Sequence, residues 1–304
     1  MSVAHYCDRL LAAIRSRGTA AVVGLDPTLA NLPGEFAPKG AGCGAAADAL
    51  EHFSRAVIDV VAPLVPAVKI NVGFFEAYRE AGYAAYFRLI GAAQQAGLLV
   101  IGDIKRGDIG STAQLYAQGH LAPAAGRESQ AVPDAVTLAG YLGQGAVAPF
   151  VDAAARDGRG VYVLVRPSDP GADAVHEFGA PLRFYEHMAR LVSDWGAPSA
   201  LRGACGLSCV GAVVAPKDLL STQALRAALP HTPLLVPGYG AQGGSLDACR
   251  ACFLPDGSGA VVNASRSVVQ AFQAPAWRAR YGDDWRACVR AAASEFAATF
   301  SVAC

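Results

Sequence analysis

Short apolar runs rich in Val, Ile and Leu recur along the chain at 21–25, 67–72, 98–104, 135–138, 160–165, 206–214, 233–236 and 260–263, most of them ending at a polar residue or glycine. Longer amphipathic stretches separate them, at 47–61, 74–96, 111–122, 147–156, 178–195, 216–228, 246–253 and 267–272. An apolar run without alternation suits a strand buried on both faces, and such strands need helices covering a parallel sheet on each side. Eight βα units predict an α/β protein, a (β/α)8 TIM barrel forming a single domain over residues 1–304. An extra N-terminal helix at about 2–17 and a C-terminal helical extension at 274–304 flank it. A doubly wound open sheet is the alternative, but its first turn would carry G-x-G-x-x-G where this chain has Gly24-Leu25-Asp26-Pro27. Residues 29–44, with glycine and proline throughout, read as a long loop.

Composition narrows the partners. The 304 residues include 25 Lys plus Arg and 25 Asp plus Glu, a formal net charge of 0, with 53% hydrophobic residues. No basic block is present, so neither nucleic acid nor an anionic membrane is expected as a partner. No apolar run approaches the roughly 18 residues of a membrane span, and Asp8 and Arg9 stand where a signal peptide needs its apolar region, so the expected location is the cytoplasm. The eight cysteines are scattered, and Cys249-x-x-Cys252 lies in a helix-like stretch without a second ligand pair. Buried reduced thiols are expected rather than a zinc or redox site. None of the six histidines is assigned a catalytic role.

Lysine usage says more than total charge. Lys39, Lys69, Lys105 and Lys217 are the only lysines, so a lysine set into an apolar strand is a candidate for chemistry that a guanidinium, which hardly ever releases its proton, cannot perform. Reacting groups in this fold come from the C-terminal ends of strands and the loops after them. Those ends carry Asp26, Lys69 with Asn71, and Asp103 with Lys105, followed by Asp108. Alternation puts Lys69 with Asn71 and Asp103 with Lys105, and neighbouring strands about 4.8 Å apart would bring the two pairs within reach. Dehydrating several charges at one mouth is costly, which favours a functional cluster over a purely structural one. A lysine held among carboxylates stays protonated and serves as a donor. After the seventh strand, Gly238-Tyr239-Gly240-Ala241-Gln242-Gly243-Gly244 offers backbone N–H groups, and Asn263-Ala264-Ser265-Arg266 follows the eighth. Together they predict a phosphate site. Three readings stay open on these residues: a metal-dependent sugar-phosphate decarboxylase or aldolase, a Schiff-base aldolase, and a non-catalytic phosphate-binding barrel.

The run Asp103-Ile104-Lys105-Arg106-Gly107-Asp108-Ile109-Gly110-Ser111-Thr112 resembles the D-x-K-x-x-D-I signature of the orotidine 5′-phosphate decarboxylase family. The runs VGLDPT, VKINVGFFE, DAVTLAGYLG, VPGYGAQGG and NASRSV are similar in order and spacing to its longer bacterial subgroup, over about 22–268. The resemblance implies a cofactor-free and metal-free decarboxylation of orotidine 5′-phosphate to UMP, with catalytic Lys69, Asp103, Lys105 and Asp108, and Lys105 as the proton donor to C6. It implies that Asp26 and Lys69 hold ribose hydroxyls, that Gln242 and Arg266 grip the phosphate, and that Asp108 and Thr112 reach a neighbouring subunit's site in a homodimer. Ser168 is implied at the pyrimidine edge, within Arg166-Pro167-Ser168-Asp169-Pro170, where the family pattern is Thr-Ser-Asn-Pro and a carboxylate here replaces the amide.

Overall fold

The eight apolar runs form eight strands in a computed structural model, which describes residues 3–122, 131–169, 171–239 and 245–302. They are β1 (Ala21–Leu25), β2 (Ala67–Asn71), β3 (Leu99–Arg106), β4 (Ala135–Leu138), β5 (Gly160–Arg166), β6 (Val210–Val214), β7 (Leu234–Val236) and β8 (Ala260–Ala264). Hydrogen-bonded order follows chain order from β1 to β8, and the parallel sheet closes into a barrel with helices between successive strands. Near-complete burial of β1, β4, β6, β7 and β8 explains their unbroken apolar character. Among the described residues no helix is long and apolar enough to cross a membrane.

Two compact units make up the chain. One contains β1, β2 and most of β3. In it Gly24 pairs with Lys69, Lys69 with Ile101 and Asn71 with Asp103, so the register follows the alternation of polar residues. Helices Gly42–Val61 and Arg79–Gln95 cover these strands with Leu50, Phe53, Val57, Leu89 and Ile90, each fully buried or nearly so. Each such side chain contributes about 1.5–3 kcal/mol. Glu51 joins the two helices, accepting from Arg55 at 2.8 Å and from Arg88 at 2.5 Å. The C-terminal extension is helical, at Pro275–Tyr281 and Trp285–Thr299, and belongs to this unit. Trp285 packs on Phe36 and Phe53, and its Nε1 donates to Glu35.

The other unit contains β4 to β7 and most of β8, together with the start of the N-terminal helix Tyr6–Arg17. Arg9 donates to Asp134 at 2.5 Å and to the Gly158 carbonyl at 3.1 Å, while Asp8 accepts from Ala204 and Cys205 backbone N–H groups. Tyr6 and Tyr162 meet edge to face with their hydroxyls 3.1 Å apart. Glycine is required beneath these rings. A Cβ on Gly211 would stand 2.5 Å from Tyr162 Cδ1, and one on Gly160 would strike the ring of Tyr6.

Several boundaries differ from the sequence expectation, four of them for a visible physical reason. The stretch 74–96 divides into Gly73–Glu76 and Arg79–Gln95, because Tyr78 leaves helical geometry and Arg79 adopts φ 54°. The loop predicted over 29–44 contains two single 3₁₀ turns, and the next helix begins at Gly42. The helix expected from 178 starts at Phe184, beyond Pro181, with Glu186 accepting from the Arg183 N–H. Strand β6 starts at Val210, since Gly206 turns the chain at φ 80°.

Candidate active site

Lysine at the centre of β2 needs compensation to be buried. Lys69 is 6% exposed, and its Nζ lies 2.8 Å from Asp103 Oδ2 and 3.7 Å from Asp26 Oδ1. Asp103 faces it because Asn71, two residues after Lys69, pairs with Asp103 across the ladder. Burial works against the ammonium, but the attraction of Asp26 and then Asp103, with the hydrogen bond to Asp103, prevails and raises the pKa of Lys69 above the ordinary lysine value. This lysine is a fixed cation and not a nucleophile. Asn71 caps the turn beyond β2, its Oδ1 accepting from Gly73 N–H at 3.0 Å. The same unit carries Arg266, exposed in the first turn after β8.

Lys105 and Asp108 lie at the end of β3 and just beyond it, in the other unit. Lys105 is exposed and has φ 46°, in the left-handed region that costs a side-chain-bearing residue about 1–2 kcal/mol. Strict alternation therefore stops at this residue. Its N–H donates to Thr137 Oγ1 on β4 at 3.0 Å, and the Arg106 carbonyl accepts from Ala139 N–H at 2.9 Å, so one side-chain and one backbone bond hold the strained position. Gly107 continues this close passage, since a Cβ there would lie 2.6 Å from the Ala139 carbonyl oxygen. Asp108 Oδ1 accepts from Ile109 N–H at 2.7 Å, and Thr112 is exposed in the first turn of helix Gly110–His120.

Beyond β5, Ser168 is half-exposed and Asp169 Oδ2 accepts from Gly171 N–H at 3.1 Å. A turn-forming carboxylate thus occupies the position where the family pattern has an amide. Gln242, and the stretch 240–244 with it, lies outside the described residues, as does Pro170. Thr137, and Arg166 with its partner Glu177, carry no role in the sequence pattern, and their contacts are visible only in the fold. Arg166 carried the same signal as Asp103, a charge closing an apolar strand. The cysteine pair is structural in setting: Cys249 and Cys252 are fully buried, and desolvation pushes their thiols up to about 11 and about 12.

One unit thus holds a buried cation between carboxylates at the ends of β1 to β3, and the other carries an exposed lysine on strained backbone. The sequence profile described as "Orotidine 5′-phosphate decarboxylase / HUMPS family" matches residues 22–279. The orotidine 5′-phosphate decarboxylase of Rhodopirellula baltica is 40% identical over 294 residues, covering 94% of this chain and 96% of that protein. That of Clostridium novyi is 31% identical over 268 residues, covering 88% and 89%. Among solved structures, the OMP decarboxylase of Leishmania donovani superimposes with a TM-score of 0.72 at 27% identity, covering 97% of each chain.

Proposed function

This chain belongs to the orotidine 5′-phosphate decarboxylase / HUMPS family, and from that membership we propose that it is a carboxy-lyase that converts orotidine 5′-phosphate to UMP and CO2. The Lys69 ammonium held between Asp26 and Asp103, with Lys105 two residues further along β3, is the observation that carries this reading. Breaking the C6–carboxylate bond leaves its electron pair on C6, where no adjacent carbonyl can spread it. Lys105 stabilises that charge as an ammonium and then gives C6 its proton, so CO2 departs and UMP forms. Asp103 stands by the leaving carboxylate and positions Lys105, while Lys69 and Asp26 hold ribose hydroxyls. Ser168 meets the pyrimidine edge, and Gln242 and Arg266 bind the phosphate. The strain at Lys105 supports this role, because non-glycine residues in sparsely populated backbone regions concentrate where chemistry is done.

The active unit in this reading is a homodimer in which Asp108 and Thr112 complete the neighbour's site. Ile109, Leu115, Tyr141 and Leu142, large apolar side chains left exposed in the segments after β3 and β4, support an interface there. The reaction belongs to de novo pyrimidine synthesis in the cytoplasm. The test is incubation with orotidine 5′-phosphate in excess EDTA, following loss of the orotate absorbance and appearance of UMP. Turnover is expected with EDTA present. Its absence, or its dependence on added Mg2+, would contradict the proposal.

A further inference from the structure

One buried guanidinium fastens the loop after β5 to the turn after β6. Arg166 closes β5 and is 4% exposed. Its Nη1 donates to Ser221 Oγ at 2.6 Å, its Nη2 donates to Glu177 Oε1 at 2.8 Å, and its Cζ lies 4.4 Å from the centroid of the Tyr185 ring. Ser221 is in the first turn of helix Leu219–Ala228, whose N-cap Asp218 accepts from Ser221 N–H at 2.8 Å. Glu177 ends the short helical turn after β5, and its other oxygen accepts from Arg183 at 2.6 Å. Lys217 pairs with Asp173 across the same gap. The backbone is tied as well, the Arg166 carbonyl accepting from Ala215 N–H at 2.7 Å.

Burying a charge is costly, and an apolar side chain of similar volume would serve stability as well or better. A planar fork does something an apolar residue cannot: it sets two loops in one mutual orientation. Ser168 lies on the short path between Arg166 and Glu177, so whatever holds both ends of that path places it.

We propose that Arg166 is a positioning residue, holding the segment that carries Ser168 against helix Leu219–Ala228 so that the pyrimidine end of the substrate meets a preset edge. This inference rests on the reading of Ser168 under Proposed function. Arg166 touches no reacting atom in this account, and its effect passes through Glu177 and the loop.

Two variants test it. Arg166→Lys keeps the charge and loses the fork, and Glu177→Gln keeps the shape and loses the anion at a side chain that is 28% exposed. Calorimetry would compare binding of UMP with binding of ribose 5-phosphate, which shares the sugar and phosphate but lacks the base. UMP affinity is expected to fall about tenfold, the scale of one misplaced hydrogen bond, while ribose 5-phosphate changes by less than about twofold. KM for orotidine 5′-phosphate should rise more than kcat falls. A general structural role predicts equal losses for both ligands, and equal losses or no loss would overturn the proposal. If Arg166→Lys does not fold, Glu177→Gln decides alone. A wild-type protein that turns over orotidine 5′-phosphate while its variants show no split overturns only the role of Arg166. A wild type that neither binds UMP nor turns over overturns the reading of the site, and this inference falls with it.

Discussion

Lys69 Nζ stands 2.8 Å from Asp103 Oδ2, both side chains less than a tenth exposed, and Asp26 adds a second carboxylate oxygen at 3.7 Å. The three groups are one electrostatic unit. Removing the cation takes away the ammonium that both carboxylates face, whereas removing one carboxylate leaves the cation still paired.

Lys69→Ala should therefore cost more stability than Asp103→Asn, about 3 kcal/mol or more against a smaller loss, since breaking a buried pair strands a charge. Both should lower kcat/KM by at least about a hundredfold, as expected for groups that fix charge beside the reacting centre. The raised pKa of Lys69 adds a sign: its stabilisation is complete below the ordinary lysine value of about 10.4 and is lost only as pH rises through the higher folded value, so this lysine contributes no pH dependence near neutrality. Urea unfolding and steady-state kinetics on the two variants check the ordering, and an Asp103→Asn variant with wild-type kcat would remove Asp103 from the site.

His120 should make stability fall on mild acidification. Its ring is 2% exposed, and burial with the nearby Arg106 charge depresses its pKa to about 4. The unfolded state, with an ordinary value of about 6.5, binds the proton first, so stability declines as pH falls from about 6.5 towards 4. Between pH 7 and 5.5 the loss assigned to this one residue is about 1 kcal/mol. Urea titrations of wild type and His120→Gln at the two pH values should differ by that amount, and parallel behaviour would show that another group sets the slope.

Alternation and strand ends made the barrel readable, and the pairing of Lys69 with Asp103 as well, because a parallel register repeats every two residues and leaves few choices. The backbone of Lys105 was not readable in this way. Alternation places it beside Asp103, but φ 46° ends the extended conformation at that residue, and the bond from its N–H to Thr137 comes from 32 positions away. The break before Arg79 was hidden because the apolar pattern continues through it. Contacts such as Trp285 to Glu35 and Arg166 to Ser221 join distant segments, and no local pattern announces them.

Arg266→Ala should be selective for the phosphate-bearing substrate. Charge-assisted hydrogen bonds are worth roughly 1.5–3 kcal/mol each, so loss of a bidentate grip lowers kcat/KM for orotidine 5′-phosphate by about two to four orders of magnitude. The much slower reaction of orotidine should hardly change, because it has no phosphate to lose. Equal losses for both substrates, with lower thermal stability, would assign Arg266 to the barrel rim instead.

Mixing inactive Asp108→Ala with inactive Lys105→Ala should restore activity, since a heterodimer would hold one site with both wild-type residues. Giving the two variants different affinity tags and purifying on both tags in turn would establish that heterodimers had formed. Heterodimers without turnover would place Asp108 outside the neighbour's site.

The proposed proton donation by Lys105 is decided by the decarboxylation rate of Lys105→Ala on saturating orotidine 5′-phosphate, beside that of wild type. Wild type should turn over in EDTA. The variant should fold and bind UMP, yet lose the rate by more than about a thousandfold, because charge stabilisation and the proton source disappear together. Lys105→Arg should not recover it, since a guanidinium is too weak an acid. A folded, UMP-binding Lys105→Ala enzyme that keeps a rate within about tenfold of wild type would contradict the account.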